Sequence, residues 1–243
     1  MDLSRVFPLL TEENIEKLKN VTIAIFGLGG VGGYALEALA RTGVGSLYLI
    51  DGDVIEPSNI NRQILALNST MGMPKVEVAK KRVLDINPSC SVKILNQMVK
   101  PEKEGRLSLD FLDDANAIVD ATDDIALKVA LALEAEERNI LIISAGGTGN
   151  RLDAFNFEIE NIYKTKGCPL CRSLREKLKK LNVKNLPILY SKYPPLCKGS
   201  VVGSVSWCPS VAGLLMAGYI IQEILKNEAF QQWRGYSEGK EAS

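Results

Sequence analysis

The sequence predicts an α/β protein with a Rossmann-like, mostly parallel sheet, helices on both faces and a C-terminal appendage that adds antiparallel strands. Short, nearly continuous apolar runs alternate with amphipathic helical patterns over the first 150 residues. A glycine-rich turn joins the first apolar run to the first long helix. This alternation is typical of a parallel sheet that is covered on both faces.

The elements of the first part follow in order. Residues 12–19 predict a short helix that Thr11 caps. A polar, turn-rich loop follows the second strand, because Pro57 blocks regular strand pairing there. Strands are expected at residues 22–26, 46–50, 91–96, 117–121 and 140–144, and helices at residues 32–41, 74–87 and 125–138.

The pattern changes after residue 150. Residues 152–159 alternate like an edge strand, 169–181 predict a basic helix, 182–202 an irregular crossover and 209–225 an apolar helix that packs on the core. We therefore expect one domain over residues 1–231, with a nucleotide-binding core at 21–150 and a substrate-side appendage at 151–231. Residues 232–243 are expected to form a flexible tail.

The amino-acid composition narrows the kinds of partner, location and catalytic chemistry to be expected. The 29 basic and 29 acidic side chains cancel, so the chain has no overall field for a polyanion. We expect a cytoplasmic protein without a membrane segment, because no apolar run approaches the roughly 18 residues of a span. Five cysteines, an odd number, indicate reduced thiols. The absence of histidine leaves carboxylates, Lys, Arg, Cys or a metal to carry any chemistry.

The glycine-rich turn predicts a nucleotide site. Gly27, Gly29, Gly30 and Gly32 stand between a strand and a helix, where backbone N–H groups face a phosphate chain. The alternative is that these glycines serve only a tight turn and close helix packing. Asp51 ends the next strand and suits a ribose hydroxyl of either NAD or ATP.

Residues farther along favour ATP over NAD. Arg62 and Lys75 place two cations near the predicted phosphates, in the motifs "NINRQ" and "GMPK". Fixed cations suit phosphoryl or nucleotidyl transfer, in which charge develops on phosphate oxygens. Each cation alone could instead be an ordinary surface charge.

Two aspartates follow another predicted strand. Asp120 and Asp123 lie at its carboxyl end, where open α/β sheets bind ligands. A carboxylate beside phosphates commonly holds Mg²⁺, and Asp123 is our candidate metal ligand. The alternative for Asp123 is a cap of the following helix.

These motifs together carry a family resemblance. "GLGGVG", "LIDGD", "NINRQ", "GMPK" and "DATDD", in this order and spacing, resemble the adenylating enzymes related to ubiquitin-activating enzyme, which include the thiamine- and molybdopterin-pathway adenylyltransferases. The resemblance covers roughly residues 4–147. It implies that the chain binds ATP and Mg²⁺ and transfers AMP to a carboxylate with release of pyrophosphate.

The resemblance also implies residue roles. It assigns the ribose to Asp51, the phosphates to Asn59, Arg62, Gln63 and Lys75, and the metal to Asp123; Asp53 is counted with the cofactor-binding residues. Members of the family are typically homodimers in which an N-terminal arginine reaches the partner's ATP. Arg5 stands at that position, and the alternative is that it is simply exposed.

Within the family, four segments are most similar to the tRNA threonylcarbamoyladenosine dehydratases: "SRVFPLLTEENIEKLKN", "INRQILAL", "KTKGCPL" and "GSVSWCPSVAGLLMAG". The implied reaction is ATP-dependent activation of the threonylcarbamoyl carboxylate on tRNA, followed by ring closure with loss of water. One departure is Leu65, where bacterial relatives often have histidine. The alternatives are an adenylyltransferase for the C-terminal Gly-Gly of a small sulfur-carrier protein, an NAD-dependent oxidoreductase and a non-enzymatic nucleotide-binding scaffold.

Residues 164–184 form a basic segment that could bind the phosphate backbone of tRNA. It contains eight basic residues and one acidic residue: Lys164, Lys166, Arg172, Arg175, Lys177, Lys179, Lys180 and Lys184, with Glu176. The alternative is an ordinary solvated helix face.

The cysteines are consistent with either a zinc site or ordinary reduced thiols. Cys168 and Cys171 have the spacing of a zinc ligand pair, and Cys197 and Cys208 could complete a four-cysteine site. Ordinary reduced thiols are the interpretation we favour. Cys90 precedes a strand and is expected in the core.

Overall fold

The computed structural model describes residues 1–102, 107–197, 199 and 201–226. The predicted tail at residues 232–243 and the end of the appendage lie outside the described residues.

Within the described part of the chain, seven strands form one sheet. They are β1 (Thr22–Phe26), β2 (Ser46–Ile50), β3 (Ser91–Leu95), β4 (Ala117–Asp120), β5 (Leu141–Ala145), β6 (Phe157–Asn161) and β7 (Pro187–Ser191). The helices are α1 (Phe7–Leu10), α2 (Glu12–Lys19), α3 (Gly32–Thr42), α4 (Lys75–Ile86), α5 (Ile125–Arg138), α6 (Pro169–Lys180) and α7 (Trp207–Leu225). Short 3-10 turns lie at Pro57–Asn59, Asn68–Thr70, Asp110–Asp114 and Ile162–Lys164.

The strand order is β3-β2-β1-β4-β5-β7-β6, and every neighbouring pair is parallel except β6 with β7. Alternate residues of the central strand β1 face opposite layers of the core. Ile23 and Ile25 pack with α3, α4 and α7, whereas Ala24 and Phe26 pack with α5 and α6. The predicted fold class, including the antiparallel addition, is confirmed.

The appendage differs from the prediction at two places. Residues 187–191, which were predicted within an irregular crossover, form β7 between β5 and the edge strand. Pro187 is tolerated because it is the first residue of the strand. The edge strand β6 begins at Phe157 rather than at residue 152, because Asp153 accepts a hydrogen bond from the Phe155 N–H in a turn.

The apolar helix α7 belongs to the core of this fold. It is the one helix of the described residues that is long and apolar enough to cross a membrane, and half of its most apolar window is buried within the protein. A Cβ atom at Gly213 would lie 2.2 Å from the carbonyl oxygen of Val31, so α7 approaches the start of α3 at backbone distance. The helix starts at Trp207, two residues before the predicted start.

Candidate active site

The glycine turn between β1 and α3 is as tight as its sequence predicts. Gly27 has a φ of +84°, and its N–H donates to the Ile50 carbonyl over 2.8 Å. A Cβ atom at Gly32 would lie 1.8 Å from the Gly27 carbonyl oxygen. Neither position therefore admits a side chain. The turn directs the amino end of α3 to the carboxyl edge of the sheet, where its N–H groups can meet a phosphate chain.

The middle glycines have different neighbours. A Cβ atom at Gly29 would find only the Gln63 amide nitrogen, 3.8 Å away, whereas one at Gly30 would lie 3.0 Å from Pro209 of α7. Gly30 therefore serves helix packing. The space next to the Gly29 Cα atom is open, and the Gln63 side chain lies across it.

Asp51 ties the second strand to the glycine turn. Its Oδ2 accepts a hydrogen bond from the Leu28 N–H over 2.6 Å, and its Oδ1 accepts from the Asp53 N–H over 2.8 Å. The carboxylate is half-buried and keeps lone pairs for another donor. This position beside the turn fits the predicted ribose contact.

Lys75 is brought to the same place by a second pair of contacts. Its backbone N–H donates to the Asp53 carbonyl over 3.0 Å, and its ammonium lies 2.7 Å from Asp53 Oδ2. The lysine side chain is 6% exposed, whereas that of Asp53 is 56% exposed. The structure thus gives Asp53 a role as counter-ion of Lys75, which the sequence analysis did not identify.

The "NINRQ" segment folds over the glycine turn. Asn59 is buried, and its Oδ1 accepts from the Glu56 N–H over 3.2 Å, so it caps its own 3-10 turn. The half-buried Arg62 donates to the Ser58 carbonyl over 2.8 Å. The contact with Ser58 therefore fixes the guanidinium of Arg62 within the NINRQ segment.

Gln63 offers an unused acceptor in this site. Its side chain is buried, and its Oε1 finds no hydrogen-bond donor among the described residues. Leaving a buried amide oxygen unpaired costs free energy, so such an atom indicates a missing partner. The open face of Gly29 beside Gln63 and the cation Lys75 fit a bound nucleotide, which would supply hydroxyl or amino donors.

A buried ionic network supports the next strand end. Asp120 Oδ2 accepts from the Lys128 ammonium over 3.0 Å and from the Ser144 hydroxyl over 2.6 Å, and all three residues are fully buried. Asp120 Oδ1 accepts from the N–H and the hydroxyl of Thr122. Asp120 is therefore a structural residue that fixes the turn leading to Asp123. Lys128 and Ser144 were not predicted from the sequence.

Asp123 projects from this turn into solvent. It is exposed, and within the described ranges it has neither a hydrogen bond nor an ion pair. The cap of α5 is Asp124, whose Oδ1 accepts from the Ala126 N–H over 2.7 Å. The alternative that Asp123 caps the helix is therefore wrong. A single free carboxylate at this edge fits Mg²⁺, which takes its other ligands from phosphates and water.

Arg5 lies away from these groups. It is exposed in the turn before α1, and the neighbouring Leu3 packs on Gly43, just past the carboxyl end of α3. The glycine turn lies at the other end of this 11-residue helix, about 15 Å away at 1.5 Å per residue. Among the described residues, Arg5 forms no hydrogen bond or ion pair with the glycine turn, Asp51 or Lys75.

The cysteines do not form the four-cysteine site. Cys168 and Cys171 lie together at the start of α6, whereas Cys208 donates to the Arg151 carbonyl and Cys197 is exposed. Within the described residues no group of three or more Cys, Asp or Glu side chains is placed to hold a metal. Cys90 is buried, as predicted.

The basic segment is mostly exposed. Helix α6 buries Cys171, Leu174 and Leu178 and turns its cations outward. Arg175 is the exception, because its guanidinium donates to the backbone carbonyls of Ile162 and Thr165. The other seven cations of the segment are exposed, and among the described residues only Lys164 has an ion pair, with Glu160 at 3.5 Å.

Comparisons with known proteins agree with this geometry. The sequence profile of the ThiF family matches residues 2–238. A tRNA threonylcarbamoyladenosine dehydratase of Bacillus subtilis is 37% identical, over 89% of this chain and 91% of that protein. A molybdopterin-synthase adenylyltransferase of Haemophilus influenzae is 35% identical, over 53% of this chain and 51% of that protein.

A solved structure is similar over nearly the whole chain. It is the Escherichia coli tRNA N6-threonylcarbamoyladenosine dehydratase in complex with ATP, with a TM-score of 0.85 and 28% identity, over 94% of this chain and 96% of that chain. The family resemblance predicted from the motifs is confirmed.

Proposed function

The chain belongs to the ThiF family, and from this premise we propose that it is an ATP-dependent dehydratase that adenylates and then cyclises threonylcarbamoyladenosine in tRNA. The observation that carries the proposal is the convergence of the glycine turn, Asp51 and the Lys75–Asp53 pair at one edge of the sheet. The similarity to the Bacillus subtilis dehydratase covers 89% of this chain, whereas that to the Haemophilus influenzae molybdopterin-synthase adenylyltransferase covers 53%.

The first step is nucleotidyl transfer. A carboxylate oxygen of the substrate attacks the α-phosphorus of ATP, and the bond from the α-phosphorus to the bridging oxygen breaks to release pyrophosphate. The carboxylate is already ionised near neutral pH, so this step needs no general base. Lys75 and Arg62 would neutralise the charge that develops on the phosphate oxygens, and the N–H groups of the glycine turn would hold the chain in line.

The second step closes the ring. The neighbouring carbamoyl group attacks the activated carbonyl carbon, a proton leaves the attacking group, and AMP departs with one oxygen of the original carboxylate. The oxygen that is formally lost as water therefore leaves on AMP. This attack is intramolecular, and it is favoured because the reacting groups are already adjacent on one side chain.

Mg²⁺ is the cofactor that we assign to Asp123. When bound, it would neutralise charge on the phosphate oxygens of ATP. The exposed carboxylate without a partner in the described residues supports this assignment. The Asp120–Lys128–Ser144 network would keep that carboxylate in place when ATP arrives.

We also assign a homodimer. Leu3, two residues before Arg5, packs at the carboxyl end of α3, about 15 Å along that helix from the glycine turn, and we assign Arg5 to the ATP of a second copy. Leu214 and Leu215 of α7 are exposed apolar side chains, 47% and 42% accessible, which a partner subunit would cover. A cytoplasmic location fits a substrate that is tRNA.

The basic segment 164–184 favours tRNA over a carrier protein. Its seven exposed cations, four of them on α6, would contact backbone phosphates and hold the tRNA without reading its sequence. A sulfur-carrier protein would instead present an extended Gly-Gly tail, which is recognised through backbone pairing and apolar pockets.

Pyrophosphate exchange tests this function. Purified protein with ATP and Mg²⁺ is offered either tRNA that carries threonylcarbamoyladenosine or a carrier protein that ends in Gly-Gly. The proposal expects label to pass from pyrophosphate into ATP with the modified tRNA alone. Exchange with the carrier alone would assign the chain to the sulfur-carrier enzymes, and exchange with neither acceptor would reject adenylation.

A further inference from the structure

Two cysteines outside the nucleotide motifs form a thiol pair. Cys168 is the N-terminal cap residue of α6, and Cys171 lies in the first turn of the helix. They are 5% and 0% exposed, so both thiol groups are buried next to each other in the first turn of the helix. A pair of this spacing at a helix start is the arrangement found in dithiol redox sites.

The surroundings of the pair shift the pKa values of the two thiols in opposite directions. The neighbouring Cys171 thiol, the N–H groups of Cys171 and Gly147, and the charge of Arg151 favour the Cys168 thiolate, so the pKa of Cys168 is lowered. The hydrogen bond to Cys168 and burial raise the pKa of Cys171. These opposite pKa shifts favour Cys168 as the nucleophile and Cys171 as the resolving thiol.

The residues packed around the two thiols limit the size of a molecule that can reach them. A Cβ atom at Gly146 would lie 3.2 Å from Cys171 Sγ, and one at Gly147 would lie 3.7 Å from Cys168 Sγ. These two glycines therefore pack directly on the pair. With the thiolate almost enclosed, only a reagent close to water in size can reach it.

We propose that Cys168 and Cys171 are a redox-active dithiol that hydrogen peroxide oxidises to an intramolecular disulfide. The Cys168 thiolate attacks one peroxide oxygen, the O–O bond breaks, and a sulfenic acid and hydroxide form. The Cys171 sulfur then attacks the sulfenic sulfur, the S–O bond breaks, and the hydroxyl group leaves with the thiol proton as water. Two thiols and one peroxide thus give one disulfide and two waters.

The other cysteines lack these features. Burial raises the pKa of Cys90 to about 11, which keeps it protonated. Cys208 donates its thiol proton to the Arg151 carbonyl, and burial raises its pKa as well. Cys197 is exposed, so its oxidation would join two molecules rather than two positions of one chain.

The test uses the Cys197→Ser protein, which removes the exposed thiol. The protein is treated with equimolar hydrogen peroxide at pH 7, quenched by alkylation, and mapped by mass spectrometry. The expected product is a reducible Cys168–Cys171 disulfide, with Cys90 and Cys208 still alkylated as thiols after denaturation. A parallel arm uses glutathione disulfide, which is expected to react at least about tenfold more slowly because it cannot enter the enclosed site.

A second variant separates the roles of the two sulfurs. In Cys171→Ala, the sulfenic acid at Cys168 has no resolving thiol and should accumulate, where a dimedone probe traps it; Cys168→Ala should form no such adduct. The proposal is overturned if peroxide leaves both thiols free, or if it oxidises Cys90 or Cys208 as fast as Cys168. These readouts do not depend on ATP or tRNA, so they are independent of the proposed function.

Discussion

Lys75 Nζ lies 2.7 Å from Asp53 Oδ2, and the lysine is buried while its carboxylate partner is exposed. The pair holds the cation at the glycine turn before any phosphate is present. A nucleotide phosphate can then share this cation with Asp53 without moving the lysine. Positioning of this kind reduces the reorganisation that the transition state requires.

Replacing this cation tests its role. Lys75→Met should lower the rate of pyrophosphate exchange about 10²- to 10³-fold, because a neutral side chain cannot stabilise charge on the phosphate oxygens. Lys81→Met is the matched control, since Lys81 is an exposed lysine of the same helix. Equal rates in the two variants would remove Lys75 from the reaction.

Asp123 should control the magnesium requirement. Asp123→Asn should raise the Mg²⁺ concentration for half-maximal exchange by at least about tenfold, because it removes one negative ligand. Asp124→Asn removes a charge from the next residue but retains a good helix cap, and it should behave like the wild type. An unchanged Mg²⁺ titration of Asp123→Asn would assign the metal elsewhere.

Arg5 is expected to act on the ATP of the partner subunit. Arg5→Ala and Lys75→Ala should each be nearly inactive alone, and mixing them should restore about a quarter of wild-type activity when subunits exchange randomly. Half of the dimers are then mixed, and each of these has one intact site. Absence of recovery, with subunit exchange verified by native mass spectrometry, would show that Arg5 does not act across the dimer.

Strands β1, β2, β4 and β5 were predictable because each is a short apolar run next to a helical pattern, and β3 because apolar Val92 and Ile94 alternate with exposed Ser91 and Lys93. β7 was missed because its five residues begin with proline and follow a polar loop. The motif residues of the site could be named from their spacing. Lys128 could not, because a lysine in a helical pattern normally indicates an exposed face, and its partners Asp120 and Ser144 lie on different strands.

The basic surface of α6 should contribute the salt dependence of tRNA binding. Reversing Lys177, Lys179 and Lys180 to Glu should reduce the slope of log affinity against log salt by about three units, since each lost cation releases about one counterion fewer. ATP affinity should stay nearly unchanged. The control reverses three exposed lysines elsewhere, Lys17, Lys81 and Lys100. If both triple variants show the same slope, tRNA does not bind at α6.

The fate of the substrate's carboxylate oxygen shows whether the carboxylate is activated by adenylation. Modified tRNA is prepared with ¹⁸O at both oxygens of the threonylcarbamoyl carboxylate, incubated with the protein, ATP and Mg²⁺, and the products are analysed by mass spectrometry. Adenylation followed by ring closure predicts a nucleoside that has lost two hydrogens and one ¹⁸O, and one ¹⁸O atom in each AMP formed. Label in inorganic phosphate instead, with ADP as the nucleotide product, or a nucleoside of unchanged mass, would contradict the account.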